Sequence, residues 1–314
     1  MILNTLYLIL IEMFDLVTIG TISADLYFSA EDLTKKGDRL NLAIGGKYRS
    51  NDFSMSVGGG AANVAIGGRK NGLKTAVVGM VGNNVFRKGI MQRLKMAKVN
   101  TSHVLFNQTA ASVSVLLLQK NGERTVIAYQ SSQEHVLEES HVETRNFKTR
   151  AVYFGSLSHV SIKERRSLMK YLKEKGVDIF VNIGQLDCCK PKTYSNELLE
   201  YADVLILNTH EFAELVKKNI DDINFSKSVL HLLPVMKSKI IIVTDGKNGS
   251  YGYEGLKTFF CPIVKEKKVV DTTGVGDGYS AGFISSFLRF GDLEKAMKAG
   301  SRYSSKIVAK IGAN

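Results

Sequence analysis

The chain has 314 residues, of which 44% are hydrophobic and 23% are charged, which fits a full-sized folded core and excludes a disordered or low-complexity protein. Its three cysteines form neither an even disulfide framework nor a metal-binding spacing, so we expect a reducing, cytoplasmic location. The net charge of +12 comes from scattered Lys and Arg without an aromatic-interleaved basic tract. We therefore expect attraction to anionic small molecules and no nucleic-acid partner.

The first twelve residues form an apolar run that ends at Glu12. The run is too short to span a bilayer, which needs about 20 residues, and it lacks the basic start and cleavage site of a signal peptide. We expect either that Met13 is the natural start or that residues 1–12 are an extension before the folded domain, and we expect no membrane partner.

Apolar runs typical of buried strands recur along the chain, and helical patterns lie between most of them. Such alternation predicts an α/β fold with a largely parallel sheet and helices on both faces. Asn-Gly within residues 120–123, between two β-rich runs, predicts a hairpin. The predicted sheet strands are residues 16–19, 76–78, 152–154, 179–181, 204–207 and 240–243, with a further strand-like run at 267–270.

Two features follow the first predicted strands. Asp25 comes shortly after the first strand, where a carboxylate points into the ligand crevice of α/β proteins; an ordinary surface turn is the alternative. The triplet Gly58-Gly59-Gly60 enters a helix with Asn63 in its first turns. Glycines permit close backbone approach to a polyol, and the Asn amide offers a donor and an acceptor; the alternative is a flexible turn.

Two shorter motifs follow strands in the second half. N-T-H-E at residues 208–211 follows the strand at 204–207 and fits a helix capping box. T-D-G-K-N-G at residues 244–249 follows the strand at 240–243 and, taken alone, predicts an Asp-Gly turn.

The most informative segment is D-T-T-G-V-G-D-G-Y-S-A-G-F at residues 271–283. A glycine turn at a helix start presents free backbone N–H groups, here of Gly274, Val275 and Gly276, to an anion. Asp277 follows in the first helical turn. A carboxylate beside a phosphate is repulsive unless it removes a proton from an attacking hydroxyl, so the pattern favours phosphoryl transfer to an alcohol. An ordinary acidic helix start is the alternative.

Residues 271–283 resemble the C-terminal signature of the ribokinase-like (PfkB) carbohydrate kinases, D-T-x-G-A-G-D-x-F-x-A-G-F, with Val275 and Tyr279 as mild departures. Residues 58–65 resemble the family's N-terminal signature, G-G-x-x-x-N-x-A, and all motifs occur in family order over residues 15–313. The resemblance implies a ribokinase-like three-layer fold, with a mostly parallel sheet, helices on both faces and a small β-sheet lid.

By this resemblance, residues 1–314 form one kinase domain, with a lid at roughly 29–57 and 105–130. Two copies of the chain could form a homodimer through that lid. The implied activity is ATP-dependent phosphorylation of a primary hydroxyl on a sugar or sugar-containing small molecule, with Asp277 as the base.

The resemblance also implies site residues. The acceptor would contact Asp25, Gly59, Gly60 and Asn63, and the transferred group would contact Gly274, Val275 and Gly276. The nucleotide would contact Asn208, Thr244, Gly246, Gly249 and Gly276. Mg²⁺ would bind Glu211 through water, and some members hold K⁺ near the positions of Asp271 and Thr273.

Alternatives remain within and outside this class. Gly60 and Ala61 replace the Lys and Gly of true ribokinases, which leaves a nucleoside kinase or a hexose kinase open. Ser301 stands where many members have Asn, so the adenine contacts are open as well. A dinucleotide-dependent dehydrogenase is disfavoured because no G-x-G-x-x-G follows the first strand. The intact Asp277 and Glu211 disfavour a binding-only pseudokinase.

Overall fold

The structure, a computed structural model, describes residues 13–29, 34–37, 39–108, 112–119, 124–131, 134–138, 148–264 and 269–314. The expected extension at 1–12, the hairpin turn at 120–123 and the first half of the strand-like run at 267–270 lie outside the described residues. Val269 and Val270, which end that run, are not in a strand.

A nine-stranded sheet runs through the molecule in the order β15-β14-β13-β12-β11-β10-β1-β6-β7. Neighbours from β7 to β13 pair in parallel, and β14 and β15 extend the sheet as an antiparallel edge. The predicted parallel sheet is confirmed. Its strands are β1 (Met13–Ile19), β6 (Thr75–Gly82), β7 (Val104–Asn107), β10 (Lys148–Phe154), β11 (Asp178–Val181), β12 (Val204–Asn208), β13 (Ile240–Thr244), β14 (Ser250–Glu254) and β15 (Lys257–Cys261).

A separate four-stranded sheet has the order β5-β2-β8-β9. These strands are β2 (Ser23–Ser29), β5 (Asp52–Gly58), β8 (Ser112–Leu118) and β9 (Arg124–Tyr129), and β3 (Thr34–Lys36) pairs with β4 (Arg39–Asn41) in a small ribbon.

The bounds of this second sheet differ from the predicted lid. The sheet takes in residues 23–28, which precede the predicted boundary at 29, because the chain leaves the large sheet directly after β1. Conversely, residues 105–107 belong to β7 of the large sheet. The interpretation of the small sheet as the lid of one domain stays a prediction.

Helices cover both faces of the large sheet, as predicted. One buried cluster joins the sheet to α3, α5 and α6, and two others join it to α1, α2, α7 and α8. The helices are α1 (Gly60–Lys70), α2 (Arg87–Met96), α3 (Ile162–Glu174), α4 (Gly184–Cys188), α5 (Lys192–Leu199), α6 (Thr209–Val216), α7 (Val275–Phe290) and α8 (Leu293–Val308). No helix in the described part of the chain is long and apolar enough to cross a membrane.

Small residues let α1, α7 and α8 pack closely. A Cβ atom on Gly67 of α1 would lie 2.5 Å from the Cβ of Ala281 in α7. A Cβ on Gly282 of α7 would lie 2.7 Å from the carbonyl oxygen of Ala299 in α8. This close packing fixes the start of α7, which carries the glycine turn and Asp277, against α1, which carries Asn63.

Candidate active site

The start of α7 is open toward a ligand. Gly274 is its N-cap in the left-handed conformation, with φ of 69°, and a Cβ there would lie 2.1 Å from the Cβ of Ala313. A Cβ on Gly276, in contrast, would meet nothing within 4 Å. Because the first N–H groups of a helix have no intrahelical acceptor, the turn can hold an anion in this space.

Asp277 lies in the first turn of α7, as predicted, beside the helix that follows the glycine triplet. Asn63 Nδ2 donates a hydrogen bond of 2.7 Å to Asp277 Oδ2. Burial raises the pKa of Asp277 from 3.8 to about 6, against the effect of the Asn63 hydrogen bond and with a further contribution from the charges of Asp25 and Glu211. A carboxylate with this proton affinity suits a general base near neutral pH.

Asp25 lies inside β2 of the small sheet and not in a surface turn. Its side chain is buried, and Ser23 Oγ donates a 3.0 Å hydrogen bond to its Oδ1. Burial raises the pKa of Asp25, hydrogen bonds from Ser23 and Ser114 oppose the rise, and the charge of Asp271 adds to it. The end of β1 and the Asp25 carboxylate, which the sequence analysis placed next to each other, thus lie in different sheets.

The glycine triplet runs between the two carboxylates. A Cβ on Gly58 would lie 2.0 Å from Asp25 Oδ2, and one on Gly60 would lie 3.4 Å from Asp277 Oδ1. Gly59, with φ of 88°, approaches the carbonyl oxygen of Thr21 so closely that a Cβ would lie 2.4 Å from it. The structure therefore brings the predicted acceptor-side residues of the first half of the chain next to Asp277 of the second half. Their contact with an acceptor stays a prediction.

Asn208 and Glu211 form a capping box at the start of α6, which was the simpler of the two sequence interpretations. Glu211 N donates to Asn208 Oδ1 at 2.8 Å, and Asn208 N donates to Glu211 Oε2 at 3.0 Å. Burial raises the pKa of Glu211, and the bond from the Asn208 backbone opposes that rise. Among the described residues no hydrogen bond reaches Glu211 Oε1, so this oxygen is available to a metal-bound water.

Thr244 ends β13 directly beside Asn208, which ends β12. Its hydroxyl donates to the carbonyl oxygen of Leu207 at 3.4 Å. Gly246 and Gly249 have φ of 48° and 115°, so the turn after β13 needs glycine at both positions. These predicted nucleotide residues meet at the carboxyl edge of the parallel strands, where α/β sheets bind ligands.

Asp271 is fully buried and connects the turn before α7 to Gly312 through hydrogen bonds. Its carboxylate accepts hydrogen bonds from Thr273 N at 2.8 Å and from Gly312 N at 3.0 Å. The Thr273 hydroxyl oxygen is buried, and the Tyr27 hydroxyl faces it. Groups of three or more His, Cys, Asp or Glu that could hold a metal do not occur among the described residues.

The sequence analysis missed three residues of this region. Tyr27 shares the sheet face of Asp25, and its buried hydroxyl faces the hydroxyl of Thr273. Strand alternation could have identified it, since it lies two residues after Asp25. Tyr153 is buried near Asp277, and Arg124 of β9 donates to the hydroxyl of Thr272. No local signal identifies these two.

A family model described as pfkB family carbohydrate kinase matches residues 13–314. The chain is 25% identical over 307 residues to a nucleoside kinase of Methanocaldococcus jannaschii, covering 96% of this chain and 92% of that protein. It is 25% identical over 271 residues to a 5-dehydro-2-deoxygluconokinase of Geobacillus thermodenitrificans, covering 82% and 80%.

Two solved structures illustrate the similarity in fold. The crystal structure of the Methanocaldococcus jannaschii nucleoside kinase superimposes with a TM-score of 0.74 at 23% identity, covering 95% of this chain and 93% of that one. A Burkholderia thailandensis nucleoside kinase in complex with inosine gives a TM-score of 0.77 at 16% identity, covering 95% and 92%. The expected ribokinase-like fold is thereby confirmed.

Proposed function

Because this chain belongs to the pfkB family of carbohydrate kinases, which phosphorylate an alcohol group of a sugar or nucleoside, we propose that Asp277 is its general base and that ATP is its phosphoryl donor. The observation that carries the proposal is the Asp277 carboxylate in the first turn of α7, beside an open helix start. This arrangement supports the proposal, because a carboxylate able to accept a proton lies beside backbone N–H groups suited to an anion.

The reaction needs positioning and charge stabilisation more than covalent chemistry. Asp277 accepts the proton of the acceptor hydroxyl as the hydroxyl oxygen attacks the terminal phosphorus of ATP. The bond from that phosphorus to the bridging oxygen breaks, and ADP leaves. The backbone N–H groups of Gly274, Val275 and Gly276 donate to the phosphoryl oxygens, on which negative charge spreads. The open space at Gly276 supports this assignment, because a phosphate must approach the backbone there.

The nucleotide is proposed to lie along the ends of β12 and β13, with its phosphates near Asn208, Thr244, Gly246 and Gly249. Mg²⁺, when bound, neutralises phosphate charge. The free oxygen of the half-buried Glu211 fits it through a water. A K⁺ ion beside Asp271 and Thr273 is a further proposal, supported by the buried carboxylate of Asp271 and the buried hydroxyl of Thr273.

The acceptor is proposed to lie between the glycine triplet and the small sheet, with hydroxyls on Asp25 and Asn63. Gly60 adds no side chain beside Asp277, which leaves room for a sugar with a bulky substituent. Similarity to a nucleoside kinase over 96% of the chain makes a nucleoside the second candidate acceptor beside a simple sugar.

We also propose a cytoplasmic location. The thiols of Cys188, Cys189 and Cys261 are free, which supports this location.

The face of the small sheet opposite Asp25 exposes apolar side chains, which supports a proposed homodimer through the lid. Among these side chains are Phe53, Met55, Ile127 and Tyr129.

A coupled assay of ADP release with ATP and a panel of nucleosides and simple sugars tests the proposal. With the best acceptor, Asp277→Asn should lower kcat by about 10²–10⁴-fold, the usual contribution of a positioned base, while ATP binding measured by calorimetry persists. Retention of more than half of the wild-type kcat would exclude Asp277 as the base.

A further inference from the structure

Residues 312–314 lie against the candidate active site. Gly312 N donates to Asp271, Ala313 fills the space beside Gly274, and the side chain of Asn314 is 8% exposed. Arg93 of α2 donates a 3.2 Å hydrogen bond to the main-chain oxygen of Asn314. This segment therefore has a fixed position next to α1 and the start of α7.

Two amides connect this segment to the proposed base. Asn314 Nδ2 donates to the carbonyl oxygen of Val57 at 2.7 Å and to Asn63 Oδ1 at 2.9 Å. Asn63 Nδ2 in turn donates to Asp277 Oδ2 at 2.7 Å. A backbone carbonyl can only accept, so Val57 requires the NH₂ group of Asn314 on its side, and the same NH₂ group then faces the oxygen of Asn63.

We propose that Asn314 is a positioning residue, which fixes the Asn63 amide with its NH₂ group, and not its oxygen, toward Asp277. Apart from Asp277 itself, no other side chain in the described part of the chain forms a hydrogen bond that distinguishes the two orientations of Asn63. Without Asn314, the Asn63 amide can rotate by half a turn, and its oxygen then faces the carboxylate. That contact is repulsive when Asp277 is ionised and favourable when it is protonated.

The consequence is a change in the proton affinity of Asp277. The other groups that face it are the carboxylates of Asp25 in the small sheet and Glu211 in α6, and the buried Tyr153 of β10, whose pKa is raised by burial. Both carboxylates favour the protonated form of Asp277. Asn63 is the donor that opposes them, so its orientation decides how far Asp277 is ionised near neutral pH.

The inference rests on the proposed role of Asp277, and the pH dependence of kcat/KM tests it. In Asn314→Ala the acidic limb should move to higher pH by about 0.5–1 unit, since a hydrogen bond to a charged group is partly lost. Asn314→Asp should move it further, because a carboxylate at 314 can only accept and draws the Asn63 NH₂ group away from Asp277.

A titration of the Asp277 carboxyl carbon by NMR, in ¹³C-Asp-labelled enzyme without substrates, gives a readout that does not depend on activity. The signal is assigned by its absence in Asp277→Asn. In this titration the pKa of Asp277 should rise in Asn314→Ala and Asn314→Asp by the same amounts as in the kinetic profile. In the double variant Asn63→Ala/Asn314→Ala the shift should equal that of Asn63→Ala alone, because Asn314 acts only through Asn63.

Asn71→Ala is the matched control. Asn71 Nδ2 donates to the carbonyl oxygen of Gly67 at 2.8 Å, so the variant removes an amide from the end of the same helix without touching Asn63. Its pH profile should equal that of the wild type. Unchanged profiles in both Asn314 variants would overturn the inference while leaving the base intact, whereas an active Asp277→Asn would overturn the proposed function itself.

Discussion

At the scale of single residues, the raised pKa of Asp277 bears on the stability of the fold as well as on its proposed role as a base. The folded protein holds its proton more tightly than an unfolded chain does, with the pKa raised from 3.8 to about 6. A group of this kind stabilises the fold fully below pH 3.8, and this contribution is lost as the pH rises through about 6. At neutral pH the ionised carboxylate therefore destabilises the fold.

We therefore expect Asp277→Asn to be more stable than the wild type at pH 7.5, by about 1–3 kcal/mol, and to keep only about 0.6 kcal/mol of that advantage at pH 4, where the unfolded-state carboxyl is already partly ionised. Urea unfolding at the two pH values measures the difference. A variant that is less stable than the wild type at pH 7.5 would show that the folded protein does not disfavour the ionised form of Asp277.

At the scale of elements, α7 has two kinds of glycine that look alike in the sequence. Gly282 lies where α7 packs on α8, and a Cβ there would approach the Ala299 carbonyl oxygen to 2.7 Å and the Tyr303 Cβ to 2.9 Å. Gly276 faces open space and has no left-handed φ. One glycine is required by packing and the other, under the proposed mechanism, by a ligand.

Gly282→Ala should lower the free energy of unfolding by about 1–3 kcal/mol through overpacking. Gly276→Ala should keep or slightly raise stability, because Ala favours a helix over Gly by about 0.5–1 kcal/mol. It should nevertheless lower kcat by about 10²-fold, since its methyl group fills the proposed phosphate space. Thermal melts and the ADP-release assay separate the two effects; a fully active Gly276→Ala would place the phosphate elsewhere.

At the scale of the whole molecule, the two proposed substrate sites come from different parts of the chain. The acceptor side uses Asp25 of β2 in the small sheet and Asn63 of α1. The nucleotide side uses the ends of β12 and β13. Asp277 touches Asn63 directly on the acceptor side, and the charge of Glu211, which follows β12, acts on it from the nucleotide side.

Asp25→Ala should therefore raise the KM for the acceptor by about tenfold, because a buried hydroxyl loses its partner, and should leave the KM for ATP nearly unchanged. Asp52→Ala is the matched control, since Asp52 is an exposed carboxylate on β5 of the same sheet. Equal losses for both substrates would indicate coupling between the sites or a disturbed fold.

The sequence by itself determined six strands of the large sheet and the starts of α1, α6 and α7. The predicted strand-like run at 267–270 was wrong over its described half, since Val269 and Val270 are not in a strand. Apolar runs such as residues 204–207 and 240–243 lie within β12 and β13, and the glycine motifs precede α1 and α7. These features depend on local periodicity and on turn chemistry, which neighbouring residues encode. The capping box of Asn208 and Glu211 was predicted for the same reason, because both partners lie within one helical turn.

Only the tertiary structure decided which side chains meet. Asp25 lies in the small sheet because β2 pairs with β5 and β8, a choice that no local pattern specifies. The contact of Asn63 with Asp277, and of Asn314 with Asn63, joins residues more than two hundred positions apart. Such contacts depend on how α1, α7 and the 312–314 segment pack together, and burial in that packing also sets the proton affinity of Asp277.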